Sequence, residues 1–483
     1  MAAWDTPAVS RAWNACRRRS KFSRLSRGRN LSSMIVTSYG KPSRNGGERQ
    51  SAQGGGCRPA PRRPRPPATR TRNRTASMSS PATPSPAPGL GFKLLLVTFV
   101  AMGPISTDLY LPALPAIALD LDSSAERVQL TLGIFILGFA VAQLIYGPLA
   151  DRFGRRPVIF GGLAVYCAAT VLCLFAPTIE VLLLGRLLQA VGGCAGPVIG
   201  RAIVRDRFAP KEAAAVIGYL ASAMALAPMI APLFGGYLTV WFGWRATFAA
   251  LLLYGLGVTL AIALALPETR PMSLRPPSGR ELVTNYGTLL RDPLFMGFTF
   301  TVGGAFAALF TWITNSSFVL IDHYGVAPER FGWYFAAVAG SYALGAFTAA
   351  RLGRRLGLLS TLATGLGIAL VAAFAMALLS LAGELSALRL NGCFALLFFA
   401  CGFVIPTGTA GAIMPFPHIA GTASALMGFL QMGTGVVANV LSGVFFTGGP
   451  EPAVLLVLAS TLGAIACFGF GVVRQRQRLA EGA

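Results

Sequence analysis

From Leu90 to Val473 the chain is a succession of long apolar runs separated by short polar breaks. Each run is long enough to cross a hydrocarbon core of roughly 30 Å at about 1.5 Å per residue. The runs are continuous and lack the alternation of a membrane-spanning barrel strand. They therefore predict α-helices, which satisfy their backbone polar groups internally. Twelve spans are expected, over residues 91–117, 128–149, 157–177, 179–200, 213–240, 244–266, 294–320, 332–350, 357–382, 390–412, 421–446 and 452–473. The fold class is an all-α polytopic membrane protein.

The breaks alternate in charge. Even-numbered loops hold Arg152, Arg155 and Arg156, then Arg201, Arg205, Arg207 and Lys211, then Arg270, Arg275, Arg280 and Arg291, then Arg351, Arg354 and Arg355. Odd-numbered loops hold mainly acids: Asp120, Asp122, Glu126, Glu180, Asp322, Glu329, Glu384 and Glu451. By the positive-inside rule the arginine-rich loops are cytoplasmic, and both termini with them, since Arg474, Arg476 and Arg478 follow the last span. An internal repeat divides the spans six and six. DRFGRRP (Asp151 to Pro157) follows span 2, and ARLGRRLG (Ala350 to Gly357) follows span 8. The expected organisation is a six-helix bundle over 90–266, a cytoplasmic linker over 267–293, a second six-helix bundle over 294–473 and a cytoplasmic tail over 474–483. Two such halves related by an axis along the membrane normal form a transporter architecture with the substrate site near the midplane.

Composition agrees: 54% of the residues are hydrophobic and 12% charged, about half the charged share of soluble domains. The net charge of +23 invites a nucleic-acid reading until it is located. Residues 1–90 hold 18 of the 41 basic residues against Asp5 and Glu48 alone, so the basicity belongs mostly to a tail. Residues 1–89, rich in Arg, Pro, Ser and Gly, are expected to be disordered. No apolar signal region precedes Leu90. Three readings of the tail stay open: an organellar transit peptide, a lipid-binding or nucleic-acid-binding segment, or a misassigned start with the natural one at Met78. Six of the eight cysteines, Cys167, Cys173, Cys194, Cys393, Cys401 and Cys467, fall within spans as small packing residues. With His323 and His418 the only histidines, neither a metal site, nor a cofactor, nor a catalytic triad is expected. No nucleophile and base stand in a recognisable arrangement and no phosphate-cradling loop occurs, so neither an enzyme nor an ATP-driven pump is expected.

Four segments carry a resemblance. GPLADRFGRRP (Gly147 to Pro157) resembles the loop signature of the major facilitator superfamily. GPISTDLYLPALP (Gly103 to Pro115) is similar to the first span of its bicyclomycin and chloramphenicol resistance branch, Bcr/CflA. GRLLQAVGG (Gly185 to Gly193) resembles the span 4 motif, with Arg186 in the place of its arginine. GYLASAMALAPMIAPLFGG (Gly218 to Gly236) resembles the span 5 antiporter motif through Gly218, Pro228, Pro232, Gly235 and Gly236, with Ala227 and Ala231 replacing two of its glycines. The resemblance implies two pseudo-symmetric six-helix bundles. It also implies a proton-coupled efflux transporter of small amphipathic compounds, monomeric, in a bacterial inner membrane. The alternative on the same fold is a proton-coupled symporter importing a small metabolite. Expected partners are the substrate, protons and the lipid bilayer, with no nucleic acid.

Charge inside a span costs several kcal/mol unless paired or watered, which singles out Asp108 in span 1 and Arg186 in span 4. Counting about 1.5 Å per residue from the span ends puts both about 20 Å from the cytoplasmic boundary. Asp108 is the expected proton-coupling group with Arg186 beside it; a structural ion pair locking spans 1 and 4 is the competing reading. Tyr110, Gln143, Tyr146, Gln189, Trp312, Asn315, Tyr342 and Gln431 are candidate cavity residues, and each of them, like Asn439, could instead make an interhelical hydrogen bond. Asp151, Arg152, Gly154, Arg155 and Arg156 are read as a conformational latch, against topogenic charge alone. The second copy lacks the acid, with Ala350 in its place.

Overall fold

Helices begin where a short polar side chain can accept an early backbone N–H. Ser124 does so for Arg127, Asp292 for Phe295 at 2.7 Å and Ser386 for Arg389. The protein is seen here as a computed structural model that describes residues 89–208, 210–269 and 279–475. The expected tail before Gly89, the part of the linker with Arg270 and Arg275, the Lys211 side chain, and Arg476 and Arg478 lie outside the described residues.

Span 1 is a bent pair, Leu90–Val100 and Met102–Asp120. Spans 2 to 6 are Ala125–Phe153, Arg155–Leu174, Ile179–Arg207, Pro210–Phe242 and Arg245–Ala265. Spans 7 to 12 are Pro293–His323, Pro328–Leu356, Leu358–Leu381, Ala387–Ile413, Pro417–Val444 and Glu451–Val473. Each starts within a few residues of its expected position, but spans 4 and 8 run on past their expected ends to Arg207 and Leu356. Arg201, Arg205 and Arg207 therefore lie in a helix and not, as expected, in a loop. Within the expected linker a further helix runs over Gly279–Leu290. The face carrying Gly154, Gly357 and this helix is called proximal below; the face carrying residues 121–124, 324–327 and 445–450 is called distal.

The packing repeats with an offset of six. Span 1 lies on span 5 as span 7 lies on span 11; 2 on 4 as 8 on 10; 3 on 4 as 9 on 10; 3 on 6 as 9 on 12. Between the halves, span 2 packs on span 11 and span 5 on span 8, the same crossing seen from either half. The fold is thus two six-helix bundles related by a pseudo-twofold, as the repeat predicts.

Span 1 bends by 45° near Ala101 and then loosens between Leu109 and Ala113. Proline explains the second irregularity, because Pro112 and Pro115 bring no N–H to the carbonyls of Asp108 and Leu111. Leu111 O accepts the Leu114 N–H in a tighter turn and, as a second partner, the Ser317 hydroxyl from span 7 at 2.6 Å, a bond between bundles. Span 5 reaches the same place through Gly235, where a side chain would collide with the Leu109 carbonyl.

The two GRR loops differ in register. Gly154 makes the turn between spans 2 and 3 with φ +99°, in the left-handed region that favours glycine. Letter-for-letter alignment of the repeat would give that task to Gly353, yet Gly353 is helical and Gly357, at φ +78°, makes the turn. Span 8 therefore runs one helical turn further, and Arg354 and Arg355 end a helix where Arg155 and Arg156 begin one.

Gly235→Ala should lower stability in detergent by about 1–3 kcal/mol, the cost of overpacking against backbone. Gly367→Ala, in span 9 with open space where the new methyl would stand, should be neutral or stabilising by up to about 1 kcal/mol. Thermal unfolding of the two purified variants checks both.

Candidate functional site

The buried arginine in span 4 organises the first bundle. Arg186 is fully buried, with its guanidinium 4.2 Å from the Tyr110 ring centroid and 4.3 Å from that of Phe135. Its Nη1 donates to the Ser106 carbonyl at 3.0 Å and to Gln189 Oε1 at 2.5 Å. Cation–π contacts desolvated in this way contribute about 2 kcal/mol each, and charged hydrogen bonds about 1.5–3 kcal/mol each. Together they offset the few kcal/mol that a mid-span arginine costs. Arg186 Nε and Nη2 have no protein acceptor.

The bond to Ser106 brings span 4 to span 1 one half-turn below Asp108, as the depth count predicts. Asp108 is itself buried, at 3% exposure. No ion pair forms between them: among the described residues no basic nitrogen lies within 4.0 Å of the Asp108 carboxylate. Arg186 is instead committed to a neutral network. Gln189 Nε2 donates to Thr170 at 2.8 Å, Thr170 donates to the Tyr166 carbonyl at 2.7 Å, and the Tyr166 and Ser106 hydroxyls meet at 2.8 Å. Tyr110, whose ring covers the guanidinium, shares a 3.0 Å hydrogen bond with Thr131. Sequence reasoning passed over Ser106, Thr131, Phe135, Tyr166 and Thr170, since hydroxyls and rings are unremarkable in an apolar helix until a charge stands among them.

The remaining candidates divide by location. Tyr146 packs its hydroxyl against Gly162 inside the first bundle. Trp312 stacks on Phe394 at 4.1 Å inside the second, with its indole N–H unpartnered. Tyr342 and Gln431 are half-buried. Gln143 reaches across to span 11, facing the Ala425 carbonyl at 3.5 Å and lying over Gly428. Asn315 belongs to a distal clamp between bundles: it accepts from Gln129 of span 2 at 3.4 Å, while Asn439 of span 11 donates to the Gln129 carbonyl and to Thr314, both at 3.0 Å. Gly133 leaves room for the Asn439 amide. With Ser317 on Leu111, these neutral bonds join the distal halves of the two bundles. On the same face, spans 1, 2, 7 and 12 and the segment between spans 11 and 12 frame a cavity of about 740 Å³ bordered by Phe318, Phe446, Asp322, His323 and Glu451.

At the proximal face Arg155, 3% exposed, bonds Asp151 at 2.5 Å and Asp206 of span 4 at 3.0 Å. The acid that caps span 3 is Glu268, which follows span 6. Its carboxylate accepts the backbone N–H groups of Arg155 and Arg156, each at 3.0 Å. Asp151 sits four residues before Arg155, across the Gly154 turn, and is occupied by that side chain. Arg156 donates to the Ala263 carbonyl at 3.0 Å, and Arg152 lies beside Phe153. These bonds tie spans 2, 3, 4 and 6 into one end of the first bundle. Of the span 5 motif, Gly235 meets span 1, Gly236 meets the Pro328 carbonyl of span 8, and Pro228 and Pro232 lie within the helix; the motif thus faces both bundles.

The family model of the Major Facilitator Superfamily matches residues 94–439, well over half the chain. The chain belongs to the major facilitator superfamily. It is a multi-pass membrane protein of a family of transporters. It is 33% identical over 384 residues to the uncharacterized MFS-type transporter YdgK of Bacillus subtilis, covering 79% of this chain and 95% of that one. It is 33% identical to multidrug resistance protein D of Escherichia coli, covering 76% and 93%. It is 33% identical to a chloramphenicol resistance protein of Pseudomonas aeruginosa, covering 69% and 79%. With a bicyclomycin resistance protein homolog of Haemophilus influenzae also matching, these relatives agree with the Bcr/CflA resemblance. In fold, the transporter superposes on a bacterial homolog of the human lysosomal transporter Spinster in an inward-facing, occupied conformation. The TM-score is 0.62 at 20% identity, over 80% of this chain and 96% of that one.

Gln189→Leu removes the acceptor of a buried guanidinium and the donor to Thr170 at once. It should cost about 2–4 kcal/mol, the loss of one charged and one neutral hydrogen bond, whereas Gln143→Leu, at a longer contact, should cost about 1 kcal/mol. Thermal unfolding of both variants tests the difference. Asn439→Val should loosen the clamp, and spin labels at positions 124 and 447 should then report a longer distance population than in the parent.

Proposed function

We propose that the chain is a proton-coupled efflux transporter that exports small amphipathic compounds by alternating access. The observation that carries the reading is a buried carboxylate, Asp108, free of any ion pair, beside a buried arginine in the irregular segment of span 1. An acid held in a lasting salt bridge would be a poor proton carrier, because its partner favours the ionised form. Asp108 is not held in one, and the Arg186 donors without acceptors are at hand for a moment when it ionises. Relatives that match over most of their length bear the names multidrug resistance and chloramphenicol resistance, which supports efflux of antibiotic-like compounds over metabolite uptake. The paucity of buried charge fits the same substrates.

In this reading the protein works as a monomer in a bacterial inner membrane, with the proximal face and both termini in the cytoplasm. The distal clamp then closes the periplasmic side, and the Arg155–Asp151–Asp206–Glu268 cluster keeps the proximal end of the first bundle rigid as it rocks. Breaking the clamp would open the distal cavity as an exit.

A drug-susceptibility panel in an efflux-deficient host tests the proposal. The parent chain should raise resistance to at least one amphipathic antibiotic. Asp108→Asn at equal expression should abolish it, together with proton release measured on drug addition to proteoliposomes. Full proton-driven export by Asp108→Asn would remove Asp108 from the mechanism, and no protection against any compound would overturn the efflux reading.

A further inference from the structure

The second GRR loop has the arginines of the first without its acids. Arg351, Arg354 and Arg355 are all exposed, and among the described residues none of them makes an ion pair. Ala350 stands where Asp151 holds Arg155 in the first copy, and the one-turn extension of span 8 keeps all three on a single helix. Spaced i, i+3 and i+4, they share a face. Toward the membrane interior that face continues as Thr348, Phe347 and Leu344, the last two being 53% and 58% exposed. The Arg351 guanidinium lies 3.9 Å over the Phe347 ring. Among the described residues these side chains line a groove of about 620 Å³.

Length fixes its level. Span 8 has 29 residues, about 43 Å at 1.5 Å per residue. Even tilted by about 40° such a helix outreaches a hydrocarbon core of roughly 30 Å, so its end reaches the headgroup level in either orientation.

We propose that this end of span 8 binds an anionic phospholipid, the arginines holding the phosphate-bearing headgroup and the Phe347–Leu344 strip taking the first part of an acyl chain. Guanidinium forks match phosphate oxygens in paired hydrogen bonds, and three unpaired cations give a selectivity that one does not. Each contributes about fivefold in affinity for an anionic surface. A zwitterionic lipid offers the same apolar chains but no net charge. Arginines serving topology alone would be indifferent to headgroup identity once the chain is inserted.

Native mass spectrometry of the full chain in detergent decides, with phosphatidylglycerol, phosphatidylcholine of the same acyl chains, and inorganic phosphate as separate additions. The parent should retain phosphatidylglycerol in clear preference to phosphatidylcholine. Arg351→Gln/Arg354→Gln/Arg355→Gln should lose about a hundredfold in phosphatidylglycerol affinity with phosphatidylcholine unchanged, while Arg330→Gln, at the other end of the same helix, should change nothing. Equal retention of the two lipids by the parent, or undiminished preference in the triple variant, overturns the proposal. So does displacement of the lipid by equimolar inorganic phosphate, which would make the site one for the free ion. Should the triple variant fail to purify, Arg354→Gln alone decides, with a drop of about fivefold expected and no drop overturning.

Discussion

A carbonyl inside a bilayer has no water to turn to, and the organisation of this protein follows from how span 1 meets that constraint. Two prolines within four residues withdraw the N–H groups that Asp108 and Leu111 would use in a regular helix. The neighbourhood adapts to the irregular backbone. Ser317 supplies a hydroxyl to Leu111, Arg186 supplies an N–H to Ser106, and Gly235 lets span 5 lie against Leu109. Three further helices are thereby drawn to one stretch of span 1, and that stretch holds the buried acid. Irregular backbone, buried charge and the contact between bundles are parts of one arrangement.

The spans were legible because period and length are properties of the sequence alone. Twelve apolar runs fix twelve crossings, and a duplicated loop fixes the halving. The partners of the charged groups were less so. Equal depth placed Asp108 and Arg186 on one level, but depth says nothing of azimuth, and two rings with a glutamine took the guanidinium instead of the acid. Glu268 was invisible for a related reason. It stands 113 positions from the amide of Arg155 that it caps, and only the packing of span 6 on span 3 brings it there. The repeated GRR string misled in detail, since identical letters straddle a turn in one half and precede it in the other.

That difference makes the two halves chemically unequal on an otherwise symmetric frame. In the first, arginine is buried among carboxylates from three segments and becomes part of the bundle's rigid end. In the second, it is left to the surroundings of the protein. Duplication supplied the same residues twice, and a shift of one helical turn assigned them to different neighbours.

The distal clamp is built from amides, hydroxyls and backbone carbonyls: Gln129, Thr314, Asn315, Ser317 and Asn439. None of these groups carries a formal charge. Pulling them apart therefore moves no formal charge through the electric field of the membrane, and the clamp's own share of the work of opening depends on neither transmembrane voltage nor ionic strength. A clamp of this kind sets a fixed threshold, leaving voltage to act on the molecule through its buried charges.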